Sequence, residues 1–275
     1  LQPLAQLITK GNGPGEMFSC ALGLHSNASD NFYLQDSNSK TCYIVDLKTL
    51  LNSRRFVPDE QFRYSSEVLP TSDLCLLDDN RYIGYHMWYL DDKQFSKVDS
   101  PIGYYQKGED SGKGMDDFPF FVASVNGARL FKNPQTQELW TADMHRDAIR
   151  IYNDSLKQIR ELVGPDHFSP EYTRRQIDAP VAFVTFADEC DYHAYTDYYI
   201  TDKHIYLVYE GNKHFDMKNL SPVEIFKLDF DGNLLCNYKP DRYVYSISIN
   251  KKEDTLYCAS RSSVMEPPVI LKYKL

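Results

Sequence analysis

An all-β chain built from repeated antiparallel sheets is predicted by three features of the 275-residue sequence. The 21 tyrosines and 15 phenylalanines fall mostly in short stretches mixed with Val, Ile and Thr, which is strand composition and not helical spacing. Clusters of Asn, Asp, Ser and Gly separate those stretches, and these residues accept the positive φ of tight hairpins. The strand–turn–strand units then recur at a long period, the signature of a β-propeller.

Along the chain the predicted strands begin with NFYLQD (31–36) and TCYIVDL (41–47), joined by the turn cluster DSNSK (36–40). DLCLLDD (73–79) and RYIGYHMWYL (81–90) follow, and then FVASV, ARLFKN, ELWTAD, AIRIYN and KQIRELV between 121 and 163. The last third reads DYYITD, HIYLVYEG, VEIFKLDF, NLLCNYK, YVYSISIN, TLYCAS and VILKYKL, with turns at Thr201-Asp202-Lys203, Asp231-Gly232-Asn233 and NKKED (250–254). Two segments offer a turn or two of helix, LKTLLNSRR (47–55) and NDSLKQIRELVG (153–164); the second also fits strand, turn, strand, which we favour.

Repeating units stand out at about 17–66, 72–106, 128–163, 190–239 and 242–275. Six units of about 46 residues match the 40–50 of blade repeats better than five of about 55. The expectation is a single domain, 1–275, forming a six-bladed propeller of four-stranded antiparallel blades. The sixth blade would draw on 98–127 and 164–189, and the N-terminal strand LAQLIT would pair with C-terminal strands to close the ring and cover two sheet edges.

With 42% hydrophobic and 25% charged residues the composition is that of a folded protein. The net charge of −9 opposes the counterion-release attraction behind general nucleic-acid binding, so no nucleic-acid partner is expected. No apolar run approaches the roughly 18 residues of a membrane helix. Six cysteines, Cys20, Cys42, Cys75, Cys190, Cys236 and Cys258, stand singly without a C-x-x-C pair, which argues against a zinc knuckle or redox motif. Buried thiols are the first reading and one or two disulfides the second.

Gly11-Asn12-Gly13-Pro14-Gly15-Glu16 surrounds a rigid proline with glycines before the first strand, leaving Glu16 to accept backbone N–H bonds. This G-x-G-P-G-E motif, the following NFYLQDSNSKTCYIVDLKTL unit and the late SPVEIFKLDFDGNLL and SISINKKEDTLYCAS hairpins resemble the six-bladed, TolB-like propellers of exported bacterial lipoproteins. The resemblance covers the whole chain. It implies an exported, periplasmic or outer-membrane-tethered protein with a lipid anchor upstream of residue 1, and it implies no common activity.

Familiar catalytic signatures do not hold up. GEDSGKG (108–114) is one residue short of a phosphate-binding loop and has Gly114 where a Mg²⁺-binding Ser or Thr would stand. DFDGN (229–233) lacks the alternating ligands of a calcium loop and reads as a hairpin. Neither G-x-S-x-G nor H-E-x-x-H occurs.

The sharpest constellation is Glu189-Cys190-Asp191-Tyr192-His193: as a strand, its period of two aims Glu189, Asp191 and His193 to one side, where they would hold a divalent cation or form a hydrogen-bonded rim. Arg146, in the predicted loop between the second and third strands of its unit, is placed at a propeller mouth, to clamp a carboxylate or phosphate or to pair with Asp147. Arg261 occupies the equivalent loop of the last unit. Tyr85, Trp88 and Tyr89, with Tyr192, Tyr195, Tyr198 and Tyr199, suit either ligand stacking or packing between blades. Arg146, Glu189, Asp191, His193 and Arg261 are therefore the candidate ligand-binding residues of a non-enzymatic envelope module that takes a protein, peptide or glycan and calls for no cofactor. The alternative is a metal-assisted hydrolase or lactonase with its site in the central channel.

Overall fold

The computed structural model describes residues 8–11, 13, 16–17, 20–23, 31–53, 56–69, 72–77, 80–87, 89, 98–110, 121–122, 127–178, 181–186, 192–211, 218 and 220–275. The chain enters through two short parallel strands, β1 (Thr9–Lys10) and β2 (Glu16–Met17). The first antiparallel sheet has four strands, β3 (Cys20–Gly23), β4 (Asn31–Asp36), β5 (Thr41–Asp46) and β6 (Glu60–Arg63), with the helix α1 (Leu47–Ser53) between the last two. The second has three, β7 (Cys75–Leu76), β8 (Arg81–Tyr85) and β9 (Ile102–Gln106).

After β10 (Phe121–Val122) comes the third sheet, β11 (Ala128–Lys132), β12 (Leu139–Asp143), β13 (Ala148–Tyr152) and β14 (Gln158–Val163). The hairpin β15 (Tyr172–Asp178) and β16 (Val181–Phe186) then pairs in parallel with β10, giving a separate three-stranded sheet. The fourth sheet is β17 (Tyr195–Ile200), β18 (Ile205–Tyr209), β19 (Glu224–Leu228) and β20 (Leu234–Tyr238), and the fifth is β21 (Val244–Ile249), β22 (Thr255–Ser260) and β23 (Val269–Lys274).

The fold is thus all-β and propeller-like. Where four strands are expected in every blade, the described residues show four in three sheets and three in three others. Residues 1–7, with most of LAQLIT, lie outside the described residues, and Thr9 pairs with Glu16, not with the last sheet. Of the two helical segments, 47–53 is α1 and 158–163 is strand, as favoured.

The hairpins share one chemistry. An Asp or Asn at the end of a strand accepts backbone N–H bonds from the turn, and a residue three or four positions later takes a left-handed φ. Asp36 receives Asn38 N and precedes Lys40 (φ 52°); Asn133 receives Gln135 N and precedes Gln137 (64°); Asn153 receives Ser155 N and precedes Leu156 (57°). Asp229 with Gly232 (87°) and Asn250 with Glu253 (57°) repeat the arrangement. These side chains imitate a backbone turn, which is why DFDGN closes a hairpin.

Each sheet packs on its neighbour in sequence. Cys42, Phe62, Val68 and Tyr82 join the first and second sheets; Cys75, Ile83, Leu130 and Leu139 the second and third; Trp140, Ile151, Tyr195, Leu207 and Phe226 the third and fourth; and Tyr206, Val208, Val244 and Leu256 the fourth and fifth. Because β11 and β17 touch directly, the β10–β16–β15 sheet does not stand between the third and fourth sheets as a sixth blade would. It borders the second and third sheets through Tyr172 and Phe186.

Polar bonds stitch the same order. Tyr33 OH donates to Leu74 O, Ser72 Oγ accepts Ala128 N, and Arg129 gives Nη1 to Asp73 (3.2 Å) and Nε to Thr196 O (2.7 Å), while Asp197 accepts Ile247 N (2.8 Å). Burial lifts the thiols of Cys42, Cys75 and Cys258 to about 12, and with Cys236 they are free, in keeping with the first reading of the cysteines. Cys20 has no described side chain and Cys190 lies outside the described residues.

Candidate functional site

Register fixes which connections share an end of the molecule. Ala128 pairs with Asp143 and Val244 with Ser260, so the first strand of these sheets begins where the second finishes. The described residues at 144–147, 164–171, 192–194, 210–211, 220–223, 239–243 and 261–268 therefore lie at the same end of their sheets, and the β10–β16–β15 sheet is drawn from the segments between β9 and β11 and between β14 and β17. This mouth holds Arg146, His193 and Arg261, whereas Glu189 and Asp191 lie outside the described residues. His193 precedes β17 instead of lying within a strand, so the period-two argument that aligned it with Glu189 and Asp191 does not apply to it.

Short backbone bonds build the mouth: Met144 N to Gly127 O, Ala194 N to Met144 O and Glu210 N to Ala194 O, at 2.7–2.8 Å. They set His145 and His193 side by side, with ring centroids 5.1 Å apart and planes at 76°. His145 Nδ1 meets Tyr192 O at 3.1 Å and its ring lies 4.6 Å from that of Phe186. His193 Nδ1 stands 3.3 Å from Glu210 Oε2, while Glu210 Oε1 accepts the Tyr243 hydroxyl at 2.7 Å. Burial, then the Glu210 charge, push the Tyr243 phenol up, and the Arg261 charge opposes them.

Arg146 lies in the loop between β12 and β13, as expected, but its carboxylate is Asp143, at 3.0 Å, and not Asp147. The same Asp143 oxygen is 3.5 Å from Arg150, which also reaches Glu161 at 3.4 Å. Asp147 has another task. Its Oδ2 accepts the N–H groups of Asp166 and His167 (2.7 and 2.8 Å) and its Oδ1 the Tyr195 hydroxyl (3.3 Å), shaping the exit from β14. Gly164 is required there, since a Cβ would sit 1.8 Å from Asp147 Oδ1.

Arg261 lies just beyond β22, its guanidinium centre 5.0 Å from the Tyr245 ring centroid. Both residues are half-buried, and among the described residues the Arg261 Nε has no hydrogen-bond partner. Among the described residues no group of three His, Cys, Asp or Glu side chains is placed to hold a metal ion.

The tyrosines divide clearly. Tyr85, Tyr195, Tyr198 and Tyr199 are buried between sheets, Tyr89 and Tyr192 are half-buried, and Trp88 lies outside the described residues. The G-x-G-P-G-E turn is structural in its described part: Gly13 N donates to Glu16 Oε2 (2.8 Å), and a Cβ at Gly11 would meet that oxygen at 2.0 Å. Sequence reasoning missed Glu210 and Tyr243, whose roles depend on packing between sheets.

The chain belongs to the TolB-like 6-blade propeller-like family, whose model matches residues 1–252. No curated protein matches it. Among solved structures it is similar to a DUF4221 family member from Bacteroides vulgatus, at 8% identity and a TM-score of 0.47 over 90% of this chain and 76% of that one. BamB from Moraxella catarrhalis gives 11%, 0.35, 90% and 70%, and Kuenenia stuttgartiensis hydrazine synthase 8%, 0.38, 84% and 52%. The chain thus spans about half the length of the hydrazine synthase chain. No helix among the described residues is long and apolar enough to cross a membrane.

Proposed function

We propose that this chain is a non-enzymatic binding module of the bacterial cell envelope that takes a carboxylate-bearing peptide, protein segment or glycan at the mouth carrying Arg146, His193 and Arg261. The observation that carries the reading is the half-buried Arg261 guanidinium over Tyr245. A planar fork of donors over an aromatic ring offers a carboxylate two parallel hydrogen bonds and its apolar neighbour a flat surface. Rigid sheets hold the loops that present these groups, which is how propellers support recognition on variable connections. Family membership supports export. Closure of the ring by a strand from the N-terminal residues beside β23 belongs to the same proposal.

Peptide and glycan arrays probed with the purified chain test the reading. A carboxylate-bearing hit is expected, weakened about tenfold or more by Arg261→Ala, as for loss of a charged hydrogen bond. An empty array, or a hit indifferent to Arg261→Ala, overturns it. Cell fractionation tests the location, and a cytoplasmic pool alone contradicts it.

A further inference from the structure

We propose that the β9 edge of the second sheet docks an extended, lysine- or arginine-bearing segment of a partner protein, which adds to β9 as a fourth strand. Among the described residues β9 is the outermost of only three strands. An edge strand directs alternate N–H and C=O groups away from its sheet, ready to pair with another chain. A groove of ≈ 970 Å³ is lined by all five residues of β9, so it follows the length of that edge. Its far wall is Ser155 and Leu156, in the turn between β13 and β14, and Tyr104 spans the gap with its hydroxyl on Asp154 O at 2.5 Å.

Charge decides the occupant. Glu67, Asp99, Glu109 and Asp110 line the groove, and its described lining contains no Lys or Arg. Lys107, next to β9, turns its ammonium to Glu60 of the first sheet at 2.8 Å. His86, bonded to the Tyr105 hydroxyl at 2.6 Å, is pushed towards its neutral form by burial against the opposing pull of Glu67. Backbone pairing supplies affinity that is indifferent to sequence, and alternate cationic side chains meeting the carboxylates supply selectivity. The site is separate from the mouth and does not rest on the function proposed there.

The experiment measures binding of an eight-residue alternating Thr–Lys peptide to the full chain at low salt, beside its Thr–Glu counterpart and two versions N-methylated at alternate residues, one for each edge of the peptide. Saturable binding of the Thr–Lys peptide is expected, weakened about tenfold by Asp99→Lys with Glu109→Lys, both at exposed positions, and weakened further by salt. One N-methylated version should lose binding. Absence of saturable binding, equal binding of the Thr–Glu peptide, or full binding by both N-methylated versions overturns the proposal. The last two comparisons use the unmodified protein and so do not depend on the double variant folding.

Discussion

The fourth sheet carries a histidine–glutamate pair at each end, and the two are built differently. At the hairpin end His204 Nδ1 lies 2.6 Å from Glu253 Oε2, Thr201 donates to the other oxygen, and Lys227 and Tyr206 approach the first at 3.5 Å. One carboxylate from the fifth sheet thus clamps a turn and two strands of the fourth. At the mouth His193 stands a looser 3.3 Å from Glu210, whose second oxygen takes Tyr243. The first pair is committed to cohesion. The second shares Tyr243 as a neighbour with Arg261 and Tyr245, at the mouth proposed to take a ligand. A His–Glu contact is therefore no sign of function until its further partners are known.

Three measurements test the contrast. The largest effect should come from neither pair: Trp140→Ala empties the apolar interface between the third and fourth sheets and should cost about 3–5 kcal/mol in urea unfolding. A loss near zero would mean that the polar pairs dominate. Glu253→Gln comes next, at about 2 kcal/mol, the scale of hydrogen bonds to a charged group.

Burial raises the Glu253 pKa, but the bonds from Thr201 and His204 and the charges of His204 and Lys227 outweigh it, so the folded value lies below the ordinary 4.5. Its stabilisation is full above the unfolded value and is lost as the pH falls through the folded one. The gap between wild type and Glu253→Gln should accordingly be wide at pH 6 and narrow once the pH lies below both values; a constant gap would refute the clamp. Glu210→Gln should cost least, about 1 kcal/mol, with its main effect on ligand capture. If it proves as damaging as Glu253→Gln, the mouth pair is cohesive too.

The strands and turns were legible because their chemistry is local. Asp36, Asn133, Asn153, Asp229 and Asn250 mark hairpins whichever sheets surround them. The β10–β16–β15 sheet was legible only in outline: its strands come from the stretches 98–127 and 164–189 expected to supply a further blade, but not its pairing, since β10 and β16 lie some sixty residues apart and pair in parallel, and Arg174-Arg175 interrupts the apolar pattern of β15. β9 was obscured by Gly103, which adds nothing to an alternating pattern. At the mouth, loop position alone located Arg146 and Arg261. Glu210, at the end of VYEG, looked like an ordinary turn residue, since nothing in sequence announces a neighbour such as Tyr243 on the next sheet.

The stitching between sheets bears on how the molecule assembles. Asp73 to Arg129 spans 56 residues and Asp197 to Ile247 spans 50, so each tie closes a segment of much the same size. The entropy lost on closing a loop grows only with the logarithm of its length. Every addition therefore meets a similar barrier, and the polypeptide can grow by accretion, each new layer templated on the one just laid down.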